Sequence, residues 1–156
     1  MSDHDGTRRR RLSGSERVLV GEALGWLVLV RVGLAAVPFN RLVSVFSLTL
    51  VAPDLAANSD TETEWCQVAE RVAGAVRGAA ARTPWSSSCL TQSLSGFAML
   101  RRRGIRCTVY LGVGKDGAGD LNAHSWLVSG GRILTGAGER DAFSPIAAYQ
   151  LRPVRS

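Results

Sequence analysis

One cysteine of this chain falls where the sequence predicts the start of a helix. Residues 85–104 read as a serine-rich loop followed by an amphipathic helix that ends at Gly104. Cys89 would then lie in the first helical turn, where free backbone N–H groups and the positive end of the helix dipole stabilise a thiolate. A thiolate is a strong nucleophile at neutral pH, so Cys89 is a candidate catalytic residue. The alternative interpretation is a cysteine packed as a small apolar side chain.

A histidine is the natural base for such a thiol. The chain has two, and His4 lies in a charged N-terminal segment, which leaves His124 as the partner. If its strand lies against the start of the Cys89 helix, the imidazole takes the thiol proton and returns it to the leaving amine. The backbone N–H of Cys89, with one from the serine run, would hold the oxyanion. A strand histidine satisfied by a backbone carbonyl is the alternative.

A third group should hold the imidazole in orientation. Glu139 and Asp141 follow the strand after the histidine, and Asp120 and Asn122 precede the histidine strand. We favour Glu139 as the third member. For each carboxylate the alternative is a solvated loop residue.

Composition narrows the class of protein. The chain has 156 residues, of which 46% are hydrophobic, and a formal net charge of +6. That length fits one domain, or a small domain with a helical extension. An odd count of three cysteines with no close pair argues against a disulfide framework, and two histidines exclude a His-rich metal centre, so we predict no metal and no cofactor. No basic–aromatic motif for nucleic acid is present.

The elements that must position these residues follow from periodicity. We predict a disordered basic tail over 1–12, a helix over 13–37, a helix over 39–50 after a break at Pro38, a linker over 51–62 and a helix over 63–81. After the Cys89 helix the period becomes 2, which predicts strands over 105–113, 123–128 and 132–135, loops over 114–122 and 136–141, and a last strand or irregular tail over 143–154.

The first helix is apolar enough to raise the question of a membrane. Glu22 and Arg31 would both lie in the hydrocarbon of a spanning helix, which is costly, so we predict a helix packed on the domain. A peripheral membrane contact stays open. No small-residue cleavage site follows the basic tail, so we predict a cytoplasmic protein.

The segments TPWSSSCLTQSLSGFAMLRRRGI and LGVGKDGAGDLNAHSWLVSGGRILTG resemble the transglutaminase-like cysteine protease of lasso-peptide biosynthesis, in its split form with a separate leader-binding protein. The N-terminal helical segment is similar to the same family. The resemblance implies an α+β, papain-like or transglutaminase-like fold, in which a helix packs on a small antiparallel sheet and a helical region precedes it. It assigns the nucleophile to Cys89 and the base to His124. The family's acid is expected on or just after the next strand, which here ends at Gly136, so Glu139 is the nearest candidate.

The resemblance also implies an activity and partners. The enzyme would cleave the leader from a ribosomally made precursor, acting with the leader-binding protein and upstream of an ATP-dependent cyclase. We therefore expect residues 13–81 to dock the leader and its carrier, and residues 82–156 to form the catalytic core. Acyl transfer to an amine, or a non-catalytic peptide-binding scaffold, are the other functions that the sequence leaves open.

Overall fold

The structure is a computed structural model that describes residues 13–53, 66–115 and 119–151, without the side chains of Cys66, Glu139, Arg140 and Leu151. The predicted tail over 1–12, most of the linker and the tip of the loop over 114–122 lie outside the described residues.

The first helix, α1, spans Gly14–Ala36 and begins where its sequence predicts. The Ser13 hydroxyl accepts a hydrogen bond from the Glu16 N–H at 3.3 Å, and the Glu16 carboxylate accepts one from the Ser13 N–H at 2.7 Å. This reciprocal pair satisfies two N–H groups at the helix start. Pro38 follows the last turn and separates α1 from the short helix α2, Phe39–Val45.

The prediction of a helix over 39–50 is wrong in its second half. Residues Leu48–Val51 form a strand, β1, which pairs antiparallel with the last strand, β5, at Ser144–Leu151. The helix ends because Ser47 takes a left-handed backbone conformation, with φ of 52°. The partner strand lies about a hundred residues further along the chain, and no local pattern announces that pairing.

Two further helices among the described residues belong to the helical layer. Helix α3 spans Cys66–Ala80 and helix α4 spans Cys89–Arg101. Helix α4 is central, because α1 and α3 pack on one side of it and the sheet on the other. Its buried residues are Thr91, Ser93, Leu94, Ser95, Gly96, Phe97, Ala98, Met99 and Leu100. A helix enclosed on both sides has few ways to shift, so it holds the residue at its start firmly.

Within the described residues, the sheet has five strands in the order β1-β5-β2-β3-β4, and every neighbouring pair is antiparallel. Strands β2, β3 and β4 span Thr108–Lys115, Leu121–Ser129 and Arg132–Thr135. The predicted loop over 136–141 is instead a short 3-10 helix, Ala137–Ala142, and the last element is the strand alternative. The α+β prediction, a helix on a small antiparallel sheet, is confirmed.

The two faces of the sheet have separate cores. Leu127 and Val109 face α4 and belong to the main core, which also contains buried residues of α1 and α3. Tyr110, Trp126 and Ala148 form a second cluster on the opposite face, with the rings of Tyr110 and Trp126 stacked at 5.6 Å. Side chains alternate between faces along a strand, so neighbouring residues of β3 belong to different cores.

Helix α1 is the one described helix that is long and apolar enough to cross a membrane. Ala23, Leu27 and Val30 on its inner side are at most 1% exposed, packed on α3 and α4. The charged residues that argue against a span have partners in the domain. Glu22 forms a bidentate ion pair with Arg103. The Arg31 guanidinium lies 5.5 Å from the centre of the Trp85 ring.

The ion pair between Glu22 and Arg103 fastens α1 to the end of α4. The two nitrogen–oxygen distances are 3.1 and 2.6 Å, and the side chains are 21% and 28% exposed. The hydrogen bond from Arg103 holds the pKa of the Glu22 carboxyl below its ordinary value of 4.5. The contact therefore stabilises the folded state above about pH 4.5, and this stabilisation is lost as pH falls through the lowered pKa.

We expect Glu22→Gln to lower the free energy of unfolding by about 1–2 kcal/mol at neutral pH, because it removes a partly buried, two-pronged ion pair. Urea unfolding followed across pH should show the difference from the parent shrinking as the pH drops below about 4.5. Glu70→Gln is the matched control, since Glu70 and Arg132 form a 3.4 Å pair in which both side chains are largely exposed. Equal effects of the two substitutions would contradict a special role for Glu22.

Candidate active site

Cys89 is the first residue of α4, as its sequence predicts. Ser88 caps the helix, because its hydroxyl accepts a hydrogen bond from the Thr91 N–H at 3.2 Å. The first intrahelical bond runs from the Gln92 N–H to the Ser88 carbonyl. The N–H groups of Cys89 and Leu90 therefore have no acceptor within the helix, and they are available to an anion beside the thiol.

The loop before Cys89 is fixed by hydrogen bonds of its own. The Thr83 hydroxyl lies 2.8 Å from the Ala80 carbonyl oxygen and 2.9 Å from the Trp85 carbonyl oxygen. The Gln92 side chain donates to the Ser87 carbonyl at 2.9 Å. These contacts join the loop to the end of α3 and to the first turn of α4. A loop held at both ends keeps the start of α4 in one conformation, which suits a preorganised site.

His124 lies in β3 and is oriented by the main chain. Its Nε2 lies 2.9 Å from the carbonyl oxygen of Gly136, the residue that follows β4. A carbonyl only accepts, so Nε2 carries the proton and Nδ1 holds the free lone pair. The ring packs between Trp126 and Phe143, with centroid distances of 6.1 and 5.0 Å. The imidazole is thus fixed in the tautomer that offers Nδ1 as a base.

Cys89 and His124 lie toward the same end of the α4–β3 pair. In the middle of the pair, a Cβ on Gly96 would come within 2.7 Å of the Leu127 side chain. Beyond the other end of α4, the Arg106 carbonyl accepts a hydrogen bond from Ser129, the last residue of β3, so helix and strand run in the same direction. Cys89 is seven helical residues before Gly96, about 10 Å, and His124 is three strand residues before Leu127, also about 10 Å.

Cys89 belongs to the helix that packs on one face of β3, whereas the His124 side chain lies on the other face. Leu127 faces α4, so alternation places His124 on the opposite face together with Trp126. Both residues are described, and no hydrogen bond joins the Cys89 thiol to the imidazole. The edge of β3 beside His124 is free of β4, which ends at Thr135. The sulfur has to approach Nδ1 past this edge, and the pairing of Cys89 with His124 stays a prediction.

Within the described residues, the hydrogen-bond partner of the His124 ring is a main-chain carbonyl. Asp120 and Asp141 are exposed, and the side chain of Glu139 lies outside the described part of the chain. His124 Nε2 donates to the main-chain carbonyl oxygen of Gly136. A search by residue type cannot find a carbonyl, although a glycine directly after a strand is the usual signal of a left-handed turn.

Two buried polar atoms near this site also escaped the sequence analysis. Ser125 Oγ and Trp85 Nε1 are two of the three buried side-chain polar atoms that have no hydrogen-bond partner in the described ranges. Ser125 follows His124 in β3, so its hydroxyl lies on the opposite face of the strand, which is the α4 face. Trp85 lies in the loop, four residues before Cys89. Buried polar groups without partners are uncommon in folded proteins and collect at functional sites. Within the residues that the structure covers, no cluster of His, Cys, Asp and Glu could hold a metal ion.

We expect Gly136→Ala to impair both folding and any activity that depends on His124. The residue has φ of +75°, and an added Cβ would come 2.5 Å from the Ser125 carbonyl oxygen and 3.1 Å from His124 Nε2. The expected loss is about 1–3 kcal/mol of stability and roughly 10- to 100-fold in rate from a displaced imidazole. Gly138→Ala is the matched control, since its Cβ would meet nothing within 4 Å. Thermal unfolding and peptide cleavage by the two variants should therefore diverge, and equal behaviour would contradict the role of the Gly136 carbonyl.

Comparison with known proteins agrees with this architecture. No curated protein and no solved structure matches the chain. Residues 33–148 match the profile of the transglutaminase-like superfamily. The matched region is well over half of the chain. It begins near the end of α1 and includes Cys89, His124 and nearly all of the sheet. Enzymes of this fold are usually cysteine proteases or transglutaminases. The chain therefore belongs to the transglutaminase-like superfamily.

Proposed function

We propose that this protein is a cysteine endopeptidase that removes the leader from a ribosomally made lasso-peptide precursor. The observation that carries the proposal is the placement of Cys89 at the capped start of a buried helix, beside N–H groups without helical acceptors. A histidine at the same end of the α4–β3 pair, with Nδ1 free, supplies the base. Membership of the transglutaminase-like superfamily supports thiol chemistry on an acyl group.

The chemistry follows from these groups. Nδ1 of His124 takes the thiol proton, and the Cys89 sulfur attacks the carbonyl carbon of the scissile peptide bond. The N–H groups at the start of α4 stabilise the oxyanion. The imidazolium returns its proton to the leaving amine, and water then hydrolyses the thioester, which restores the thiol and releases the leader as a carboxylic acid.

A peptidase that cuts a leader needs a surface to hold it. A cleft of about 290 Å³ between α1 and α3 has an apolar and glycine-rich wall, and its charged lining residues are Glu16, Arg71 and Arg82. Arg71 donates to the Ser15 hydroxyl and Arg82 to the Gly78 carbonyl. We propose this cleft, within the helical region 13–81, as the docking site for an acidic segment of the leader or of its carrier protein. A cyclase that takes the freed core would act next.

The experiment is incubation of the protein with its genomic-neighbour precursor, with and without the separate leader-binding protein, followed by mass spectrometry. Hydrolysis predicts two fragments whose masses sum to that of the precursor plus one water. A product joined to an added amine would indicate acyl transfer instead. An intact precursor in all mixtures, with the leader bound to the protein, would indicate a peptide-binding scaffold.

Glu139→Gln tests the third group that the sequence favoured. Because the Gly136 carbonyl already accepts from Nε2, we expect cleavage to fall by only about 2- to 5-fold, in line with a secondary orienting role. Asp141→Asn and Asp120→Asn serve as controls at the two exposed carboxylates. A loss of cleavage with Glu139→Gln as large as with His124→Ala would establish Glu139 as the group that orients the imidazole.

A further inference from the structure

The outward face of α1 has a composition that the fold does not explain. Its exposed residues from Val18 onward are Val18, Gly21, Gly25, Val28, Leu29, Arg31, Val32, Ala35 and Ala36. The four large apolar side chains among them are 72%, 43%, 63% and 58% exposed, in chain order. A Cβ added at Gly21 or Gly25 would meet nothing within 4 Å, so the face is open. We call the apolar members of this set the outer face of α1.

Among the described residues of α1 and α2, the exposed charged side chains near the outer face are arginines. Arg17 precedes it, Arg31 lies at its border, and Arg41 follows shortly after it on α2, all three exposed. The two acids of α1 are engaged elsewhere, Glu16 in the capping pair with Ser13 and Glu22 in the ion pair with Arg103. In the sequence, four consecutive arginines, 8–11, come directly before the helix, and the whole chain carries +6.

Most of this surface lies outside the region that matches the superfamily profile. The matched region starts at residue 33, so the outer face lies almost wholly before it. The inner side of the same helix is buried on α3 and α4, so α1 is held on the domain and cannot insert end-on while the fold is intact. An apolar helix face bordered by arginines, lying along the surface of a folded domain, matches an interfacial helix.

We infer that the outer face of α1 docks the protein on an anionic lipid bilayer, with the helix in the plane of the interface. The valine and leucine side chains enter the acyl boundary, and the bordering arginines contact anionic headgroups. The charge favours this occupant over a second copy of the chain, because two such faces would bring like charges together. The inference does not depend on the proposed peptidase activity.

The test is flotation of the full-length protein with vesicles of phosphatidylcholine alone and of phosphatidylcholine mixed with phosphatidylglycerol. We expect binding to the anionic vesicles only, weakened by salt. The triple substitution Val28→Ser, Leu29→Ser, Val32→Ser should weaken it by about tenfold or more, because it removes inserted apolar groups. Leu121→Ser with Ile146→Ser is the matched control, since these side chains are 80% and 61% exposed on the sheet.

A second variant guards against a folding defect in the triple substitution. Gly25→Glu places a negative charge in the centre of the outer face at an open helical position, and glutamate favours helix more than glycine does. It should keep the unfolding temperature and lose vesicle binding. The inference is overturned if the parent does not float, if it binds neutral vesicles equally well, or if both variants bind as the parent does. The inference is also overturned if the triple substitution and Gly25→Glu abolish a dimer or a complex with the carrier protein but leave flotation unchanged.

Discussion

Cys89→Ala should abolish cleavage of the precursor, with a loss of about a thousandfold or more, because the substitution removes the attacking atom. The residue is the first of α4 and its side chain is only partly buried, so the methyl group of alanine fits without displacing the core. Unfolding temperature should therefore stay close to that of the parent. Mass spectrometry of the precursor after prolonged incubation measures the effect.

Two controls separate loss of the nucleophile from loss of any thiol. Cys107→Ala removes a cysteine that is 6% exposed in the main core, and we expect it to lower stability modestly and to keep cleavage. Iodoacetamide should alkylate Cys89 faster than Cys107 in the folded protein, because Cys89 is partly exposed and Cys107 is buried. Retained cleavage by the Cys89→Ala protein would refute the mechanism.

Substitution of His124 should have an effect of similar size, because His124 is the base that we propose for the Cys89 thiol. We expect His124→Ala to lower the cleavage rate by about a thousandfold, with some loss of stability from the space left between Trp126 and Phe143. His124→Gln is the sharper variant, because its amide nitrogen can occupy the position of Nε2 and donate to the Gly136 carbonyl, while it offers no basic nitrogen. It should remain as stable as the parent and still be inactive.

The nitrogen that carries the proton can be observed directly. In protein labelled with ¹⁵N at histidine, the neutral ring of His124 should show a protonated Nε2 and a free Nδ1, as the bond to Gly136 requires. His4→Ala leaves this signal in place and identifies it. The opposite tautomer, or full activity of His124→Gln, would exclude the imidazole as the base.

Local signals explain which elements could be predicted. The start of α1 depends on Ser13 and Glu16, three residues apart, and the start of α4 depends on Ser88, so both helix starts can be predicted from the sequence. Strand β1 could not be, because Leu48–Val51 pairs with residues near the other end of the chain. The short 3-10 helix was also missed, since Ala137–Ala142 follows a glycine and reads as a loop.

The same distinction holds at the candidate site. The residue types and their order were enough to select Cys89 and His124. They did not show that His124 shares its face with Trp126 while α4 packs on the face of Leu127, because strand phase is known only once β3 is paired with its neighbours. The residue types also restricted the candidates for the group that orients His124 to carboxylates.

The bond between His124 and Gly136 has a consequence for how this protein can be studied. Every amino acid has a main-chain carbonyl, so saturation mutagenesis at position 136 alters the turn without ever deleting the acceptor. Only backbone chemistry reaches it. In a semisynthetic protein with lactic acid in place of Ala137, the Gly136 carbonyl becomes that of an ester, a weaker acceptor with an unchanged side-chain complement. Depsipeptide substitution is therefore the direct way to measure what this oxygen contributes to catalysis.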